Sequence, residues 1–355
     1  MRIRIGHAVG SALVSLSIAL GSLAVASADV IRTAAAQPVV SPATGTPWAL
    51  GTMTALTNKP TCPAGYACTQ FNISGCTNVQ EDRQVVLAKS SPSGQTPQGL
   101  VVFFSGAGGT SWWGAGTGLA GTMVTKLRDV DKFVVVQVKF ISEWLKSLPG
   151  EDSGAAHLAC RPATIVNWVY LNWYLPLGIT AALGSCGFCI TGNSGGSAEV
   201  SYALSFYGLD YELNAIIPTS GPTHAAMLKG CLTGYGRYTY PATSIASMDK
   251  SSGHSDETTN PGPCCLHDSA YSDRWIAGSV DTGGSDYQYP TTRVQIVIGQ
   301  NDLGPSPDHA GDYRDVLQLD PHNHVIWTVV PGMAHTIQQS QSGLDALEAA
   351  LLASL

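Results

Sequence analysis

The residue whose setting points most directly to chemistry is Ser194, in Gly192-Asn193-Ser194-Gly195-Gly196. A Gly-x-Ser-x-Gly pattern suits a sharp strand-to-helix turn. Glycines on both sides leave room for a strained backbone that lifts the hydroxyl clear of its neighbours. Such a hydroxyl becomes a nucleophile when a base takes its proton and a carboxylate orients that base. Two later segments supply the partners. Asp302 follows the apolar run Val294–Ile298 in Gly299-Gln300-Asn301-Asp302, and His335 follows Val325–Val330 in Pro331-Gly332-Met333-Ala334-His335. The order serine, carboxylate, imidazole, each just beyond an apolar run, predicts Ser194 as nucleophile, Asp302 as orienting acid and His335 as general base. His309, His322 and His324, with Asp308 and Asp312, are the neighbouring alternatives; His322 and His324 precede the last run and belong at its opposite end.

Acyl transfer through a serine also needs N–H donors for the oxygen that becomes negative. The Gly195 N–H is one. The second is expected from Ser105-Gly106-Ala107-Gly108-Gly109, directly after Leu100–Phe104, with Ala107 foremost and Gly106 or Gly108 as alternatives. Trp112 and Trp113 come next and are candidates for substrate binding, or else pack the loop onto the core.

These residues need a scaffold that puts several loops at one edge. Six short apolar runs recur, at 100–104, 133–138, 188–191, 213–217, 294–298 and 325–330. Runs without polar alternation are what strands buried on both faces look like. Helical patterns lie between them, at 162–174, 195–207 and 344–352. The class is therefore α/β, a mostly parallel central sheet flanked by helices. Val85–Ala88 reads as an early antiparallel strand, and 61–76, with three cysteines, as a stapled loop. Residues 222–290 break the alternation and read as an insertion between later strands, a candidate lid or substrate-shaping region.

With the Gly106–Gly109 loop, Gly192–Gly196, Gly299–Asp302 and Gly332–His335 in place, the chain from about Gly99 onward resembles the α/β-hydrolase superfamily. The resemblance implies an α/β-hydrolase catalytic domain over 61–355. It also implies hydrolysis through an acyl-enzyme, usually of carboxylic esters, with no cofactor. Ser105 departs from the pattern, standing where many lipases and esterases of this family carry a histidine.

The start of the chain points to export. Arg2 and Arg4 precede an apolar stretch that ends at Ala26-Ser27-Ala28, so residues 1–28 read as a secretory signal peptide and 29–60 as a flexible leader. No later run is apolar enough for stable membrane insertion. The formal charge of −7, or −9 once Arg2 and Arg4 are removed, disfavours nucleic acid. Nine cysteines in an exported chain predict four disulfides with one thiol left over. Cys186-x-x-Cys189 has metal-ligand spacing but no companion motif, so no metal is expected. The expected protein is a secreted (extracellular or periplasmic) serine hydrolase acting on a small-molecule or polymeric ester: a lipid, a plant-wall ester or a polyester. A peptidase or amidase with the same three residues, and a noncatalytic binding protein on the same fold, are the rival readings.

Overall fold

The computed structural model describes residues 45–254, 260–284 and 287–354. The expected signal peptide, and the leader up to residue 44, lie outside them.

Nine strands form one sheet. They are β1 (Thr52–Ala55), β2 (Ala67–Ser74), β3 (Arg83–Ser90), β4 (Gly99–Phe104), β5 (Phe133–Phe140), β6 (Phe188–Asn193), β7 (Ala215–Thr219), β8 (Arg293–Gly299) and β9 (His324–Val330). The spatial order is β1-β2-β3-β5-β4-β6-β7-β8-β9. From β1 to β5 neighbours run antiparallel; from β5 through β4 to β9 they run parallel. The parallel part puts the carboxyl ends of β4, β6, β8 and β9 along one edge, and the sequence-predicted site residues all follow those ends.

The helices are α1 (Leu119–Asp129), α2 (Gly154–Leu158), α3 (Cys160–Val169), α4 (Gly195–Ser205), α5 (Met227–Cys231), α6 (Ala242–Ser251), α7 (Ser272–Gly278), α8 (Ser306–Leu317) and α9 (Gln341–Leu352). Alternate strand residues feed two cores. Leu100, Val102 and Phe104 join Ile165, Val200 and Tyr313 of α3, α4 and α8 on one face. Val101 and Phe103 join Met123, Val124, Leu344 and Leu347 of α1 and α9 on the other. Parallel strands covered on both faces have no solvent side, which is why β4, β6, β7 and β8 are buried along their whole length. Sheet order, strand direction and helix placement agree with the α/β-hydrolase architecture that the motifs imply.

One local expectation is corrected. The 61–76 segment is not a stapled loop throughout, because β2 pairs with β3 over most of its length. The 222–290 insertion carries three helices, α5 to α7. Eight cysteines pair, as Cys62–Cys68, Cys76–Cys160, Cys186–Cys189 and Cys231–Cys264, and Cys265 stands outside these four. Cys186 and Cys189 thus bond to each other. No described helix is long and apolar enough to cross a membrane.

Candidate active site

Ser194 occupies the single residue between β6 and α4, with φ 55° and ψ −117°. A side chain at positive φ is strained, and that strain persists only where the surroundings over-determine the turn. They do so here by leaving no space. A Cβ on Gly192 would meet the Gly196 backbone, one on Gly196 the Phe104 carbonyl, and one on Gly195 the Ala107 carbonyl. The Ser194 N–H donates to the Thr219 carbonyl at 3.0 Å, extending the β6–β7 ladder into the turn. The motif glycines are therefore needed for close backbone approach as much as for flexibility.

The three residues expected to act together lie in one chain of hydrogen bonds. His335 Nε2 is 2.9 Å from Ser194 Oγ, and His335 Nδ1 is 2.9 Å from Asp302 Oδ2. The Asp302 side chain is 1% exposed while His335 is 41% exposed, so the carboxylate is sealed and the imidazole faces the cleft. Asp302 Oδ1 also accepts from the Gly304 N–H at 3.3 Å. The two loops are fastened to each other: the Gln300 N–H donates to the Val330 carbonyl at 3.0 Å and the Asn301 N–H to the Met333 carbonyl at 2.8 Å. A Cβ on Gly299 would strike the Met333 and Ala334 carbonyls, so the loop after β8 lies directly against the loop after β9.

The alternative histidines and acids have other partners. His309 is buried, with Nδ1 accepting from the Ala226 N–H at 3.1 Å and Nε2 donating to the Tyr238 carbonyl at 2.9 Å. Burial pushes its imidazole down to about 4. His322 is at the surface beside Asp320, and His324 opens β9, away from the carboxyl edge. Asp312 accepts from Lys229 and Tyr238, and Asp308 pairs with Arg237.

Gly106 and Ala107 reach the serine. A Cβ on Gly106 would lie 3.2 Å from the Asn193 carbonyl and 3.6 Å from Ser194 Cβ. Ala107 itself takes φ 52°, and its backbone N lies 2.8 Å from where a Gly195 Cβ would be. The loop is closed by the Gly109 N–H donating to the Gly106 carbonyl at 3.2 Å. Gly108, the third alternative, faces away, toward Glu143.

The tryptophans part company with the substrate-binding expectation. Trp113 is 3% exposed and packs on Phe103, ring centroids 4.6 Å apart, so it belongs to the core. Trp112 lies under the Lys139 ammonium and lines a cavity with Thr61 to Tyr66 and α1, rather than the cleft at Ser194. The correction has a physical cause: the chain turns after Gly109 and carries both indoles away from the serine.

The cleft that does contain Ser194 and His335 has a volume of about 390 Å³. One wall is the loop from Asn301 to Ser306; the other is Thr223, Tyr240, Pro241, Thr243 and Ser244, all from the insertion. Among the described residues no lysine or arginine lines it. Asn193 is a positioning residue that motif reading passed over. Its side-chain carbonyl accepts from Thr219 Oγ1 at 3.2 Å and from the Ile337 N–H at 3.3 Å, tying the serine turn to the histidine loop. Its sequence signal is no more than occupying one of the two variable positions of the pentapeptide.

No protein-family model matches the chain. No curated protein matches it either. Solved structures similar to it include Est1E from Butyrivibrio proteoclasticus, at 12% identity and TM-score 0.48 over 81% of this chain and 96% of that one. A hyperthermophilic esterase from the archaeon Pyrobaculum calidifontis is similar at 13% identity and TM-score 0.49, over 81% and 84%. A puromycin-hydrolyzing peptidase of Mycobacterium tuberculosis is similar at 14% identity and TM-score 0.47; the match covers 79% of this chain but 38% of that one.

Proposed function

We propose that this protein is a secreted serine hydrolase that cleaves carboxylic esters through an acyl-enzyme on Ser194. The observation that carries the reading is the unbroken relay Ser194 Oγ, His335 Nε2, His335 Nδ1, Asp302 Oδ2, with 2.9 Å at both links. In it the Nδ1–H donates to the buried Asp302 carboxylate, which fixes the tautomer and leaves Nε2 to accept the serine proton. Ser194 Oγ attacks the ester carbonyl. The resulting oxyanion is held by the N–H groups of Gly195 and Ala107, with Gly106 as the alternative donor, and the Gly195 N–H adds the positive end of α4. His335 then passes its proton to the departing alkoxide. Water repeats the sequence to free the acid.

Two features favour a neutral ester. Among the described residues the cleft has no lysine or arginine to hold a substrate carboxylate, and the one acid that lines it, Asp302, is sealed behind His335. An exopeptidase needs a charge to hold a chain terminus. Four disulfides suit an oxidising compartment outside the cell.

Labelling with a fluorophosphonate probe tests the nucleophile: wild type is labelled and Ser194→Ala is not. Equal labelling of the two overturns the assignment. Comparing p-nitrophenyl esters with aminoacyl anilides tests the leaving group, and faster anilide cleavage replaces the esterase reading with an amidase.

A further inference from the structure

Glu199 is the one charged residue type in α4, and the relay does not use it. It is fully buried, one turn beyond Gly195 and Gly196, and neither carboxyl oxygen has a hydrogen-bond partner. A carboxyl group placed so is expected to have a purpose, because burying it unpaired is costly.

Its position supplies one. A Cβ on Gly109 would lie 3.3 Å from Glu199 Oε1 and 3.2 Å from Trp144 Cδ1, so the carboxyl and the indole edge flank the end of the 105–109 loop. The same loop is also held by backbone bonds: the Phe140 N–H donates to the Gly109 carbonyl at 2.9 Å and the Trp144 N–H to the Gly108 carbonyl at 3.0 Å. Trp144 Nε1 and Ser105 Oγ are also buried without partners.

We propose that Glu199 is a positioning residue, supporting the 105–109 loop from beneath and so fixing the Ala107 N–H over Ser194. This rests on the hydrolase reading above. Burial alone drives the carboxyl well above the usual carboxylate range. The ionisable groups on the elements around it do not counter that. Glu143 and Lys250 pair with each other, Arg161 donates to the carbonyls of Trp144, Lys146 and Glu81, and burial holds His224 down at about 3, hence uncharged. Glu199 therefore works as the neutral acid. An ionised carboxylate behind the loop would oppose the negative oxygen that the loop has to bind.

The test uses the full chain with Glu199→Gln and Glu199→Asp. Glutamine keeps the length and the neutral form; aspartate withdraws the carboxyl from Gly109 by one methylene. With p-nitrophenyl acetate we expect Glu199→Gln to hold kcat within about threefold, and Glu199→Asp to lose tenfold or more with KM unchanged. A folded-state value raised above the unfolded one gives stability that is present at low pH and lost as pH rises. Glu199→Gln should accordingly raise Tm over wild type at pH 8 and lose that advantage near pH 4. A tenfold kcat loss in Glu199→Gln, a full kcat in Glu199→Asp, or no pH-dependent difference in Tm overturns the inference. Failure of wild type to react with a fluorophosphonate at Ser194 is a different result: it removes the hydrolase reading itself, and this inference with it.

Discussion

The strand-end loops carrying Ser194, Asp302 and His335 and the 222–290 insertion face each other across one cleft, and they are held by different forces. The loops are fixed by backbone packed against backbone at glycines: Gly192 on Gly196, Gly196 on Phe104, Gly299 on Met333 and Ala334. The insertion is fixed by side chains. Lys229 and Tyr238 reach Asp312 of α8, His309 bridges Ala226 to Tyr238, and Tyr240 stacks on His309 at 4.8 Å. Asp249 accepts from the N–H groups of Cys264 and Cys265, and the Cys231–Cys264 disulfide closes the segment. Steric exclusion leaves the first region no alternative geometry. The second adds these polar contacts to side chains sunk in the main core, Met227, Tyr240, Met248 and Trp275 among them. Ser194, Asp302 and His335 therefore sit on the side of the cleft fixed by close backbone approach, and the insertion supplies the opposite wall.

That contrast can be broken from either side. The largest effect is expected from Ser194→Ala, with kcat falling on the order of 10⁶-fold and thermal stability kept; a residual rate within a hundredfold of wild type would remove the contrast altogether. Asp302→Asn should lower kcat by about 10⁴-fold at little change in KM, because the imidazole loses its tautomer partner. Gly299→Ala tests the backbone packing without touching a reacting group. It should cost roughly 1–3 kcal/mol of stability by overpacking and at least tenfold in kcat by moving the histidine loop, read from urea titration and ester turnover together. On the other side of the cleft, replacing Cys231 and Cys264 with serine should cost about 3 kcal/mol through the released loop, raise KM, and leave fluorophosphonate labelling within a few-fold of wild type.

The smallest effect is expected at His309, and it is an effect on stability. His309 has a folded value near 4, below the unfolded imidazole, so the stability it contributes is present above about pH 6.5 and lost as pH falls toward 4. Protonation of Nδ1 breaks its bond from the Ala226 N–H, on the insertion side alone. His309→Ala should flatten the acid limb of the stability curve, monitored by Tm between pH 4 and 7. An unchanged limb would mean that acid acts elsewhere.

The same contrast explains what the sequence made legible. That Ser194, Asp302 and His335 would lie together was readable because each follows an apolar run suited to a buried strand, and parallel strands bring their ends to one edge. The Gly106–Ala107 loop was readable for the same reason. Trp112 and Trp113 were not, since three residues of turn decide whether an indole faces the cleft or the core. The helices α1 and α8 and the strand β2 were missed because their patterns are short and mixed, and their burial is set by partners distant in sequence. Within the insertion the pattern gave no helix positions, and the structure places α5 to α7 there, with the Cys231–Cys264 disulfide and Asp249 among their ties. Glu199 left one signal, a lone charge in a stretch otherwise suited to burial on every side.

One further consequence lies in the order of the chain. The hydroxyl and the imidazole that activates it are 141 residues apart, and the imidazole arrives on the loop after β9, the outermost strand of the parallel half. A ribosome making this protein therefore releases the serine long before its proton acceptor. The growing chain carries a hydroxyl without its imidazole partner until β9 joins the sheet, so the proposed relay can close only after that edge has assembled.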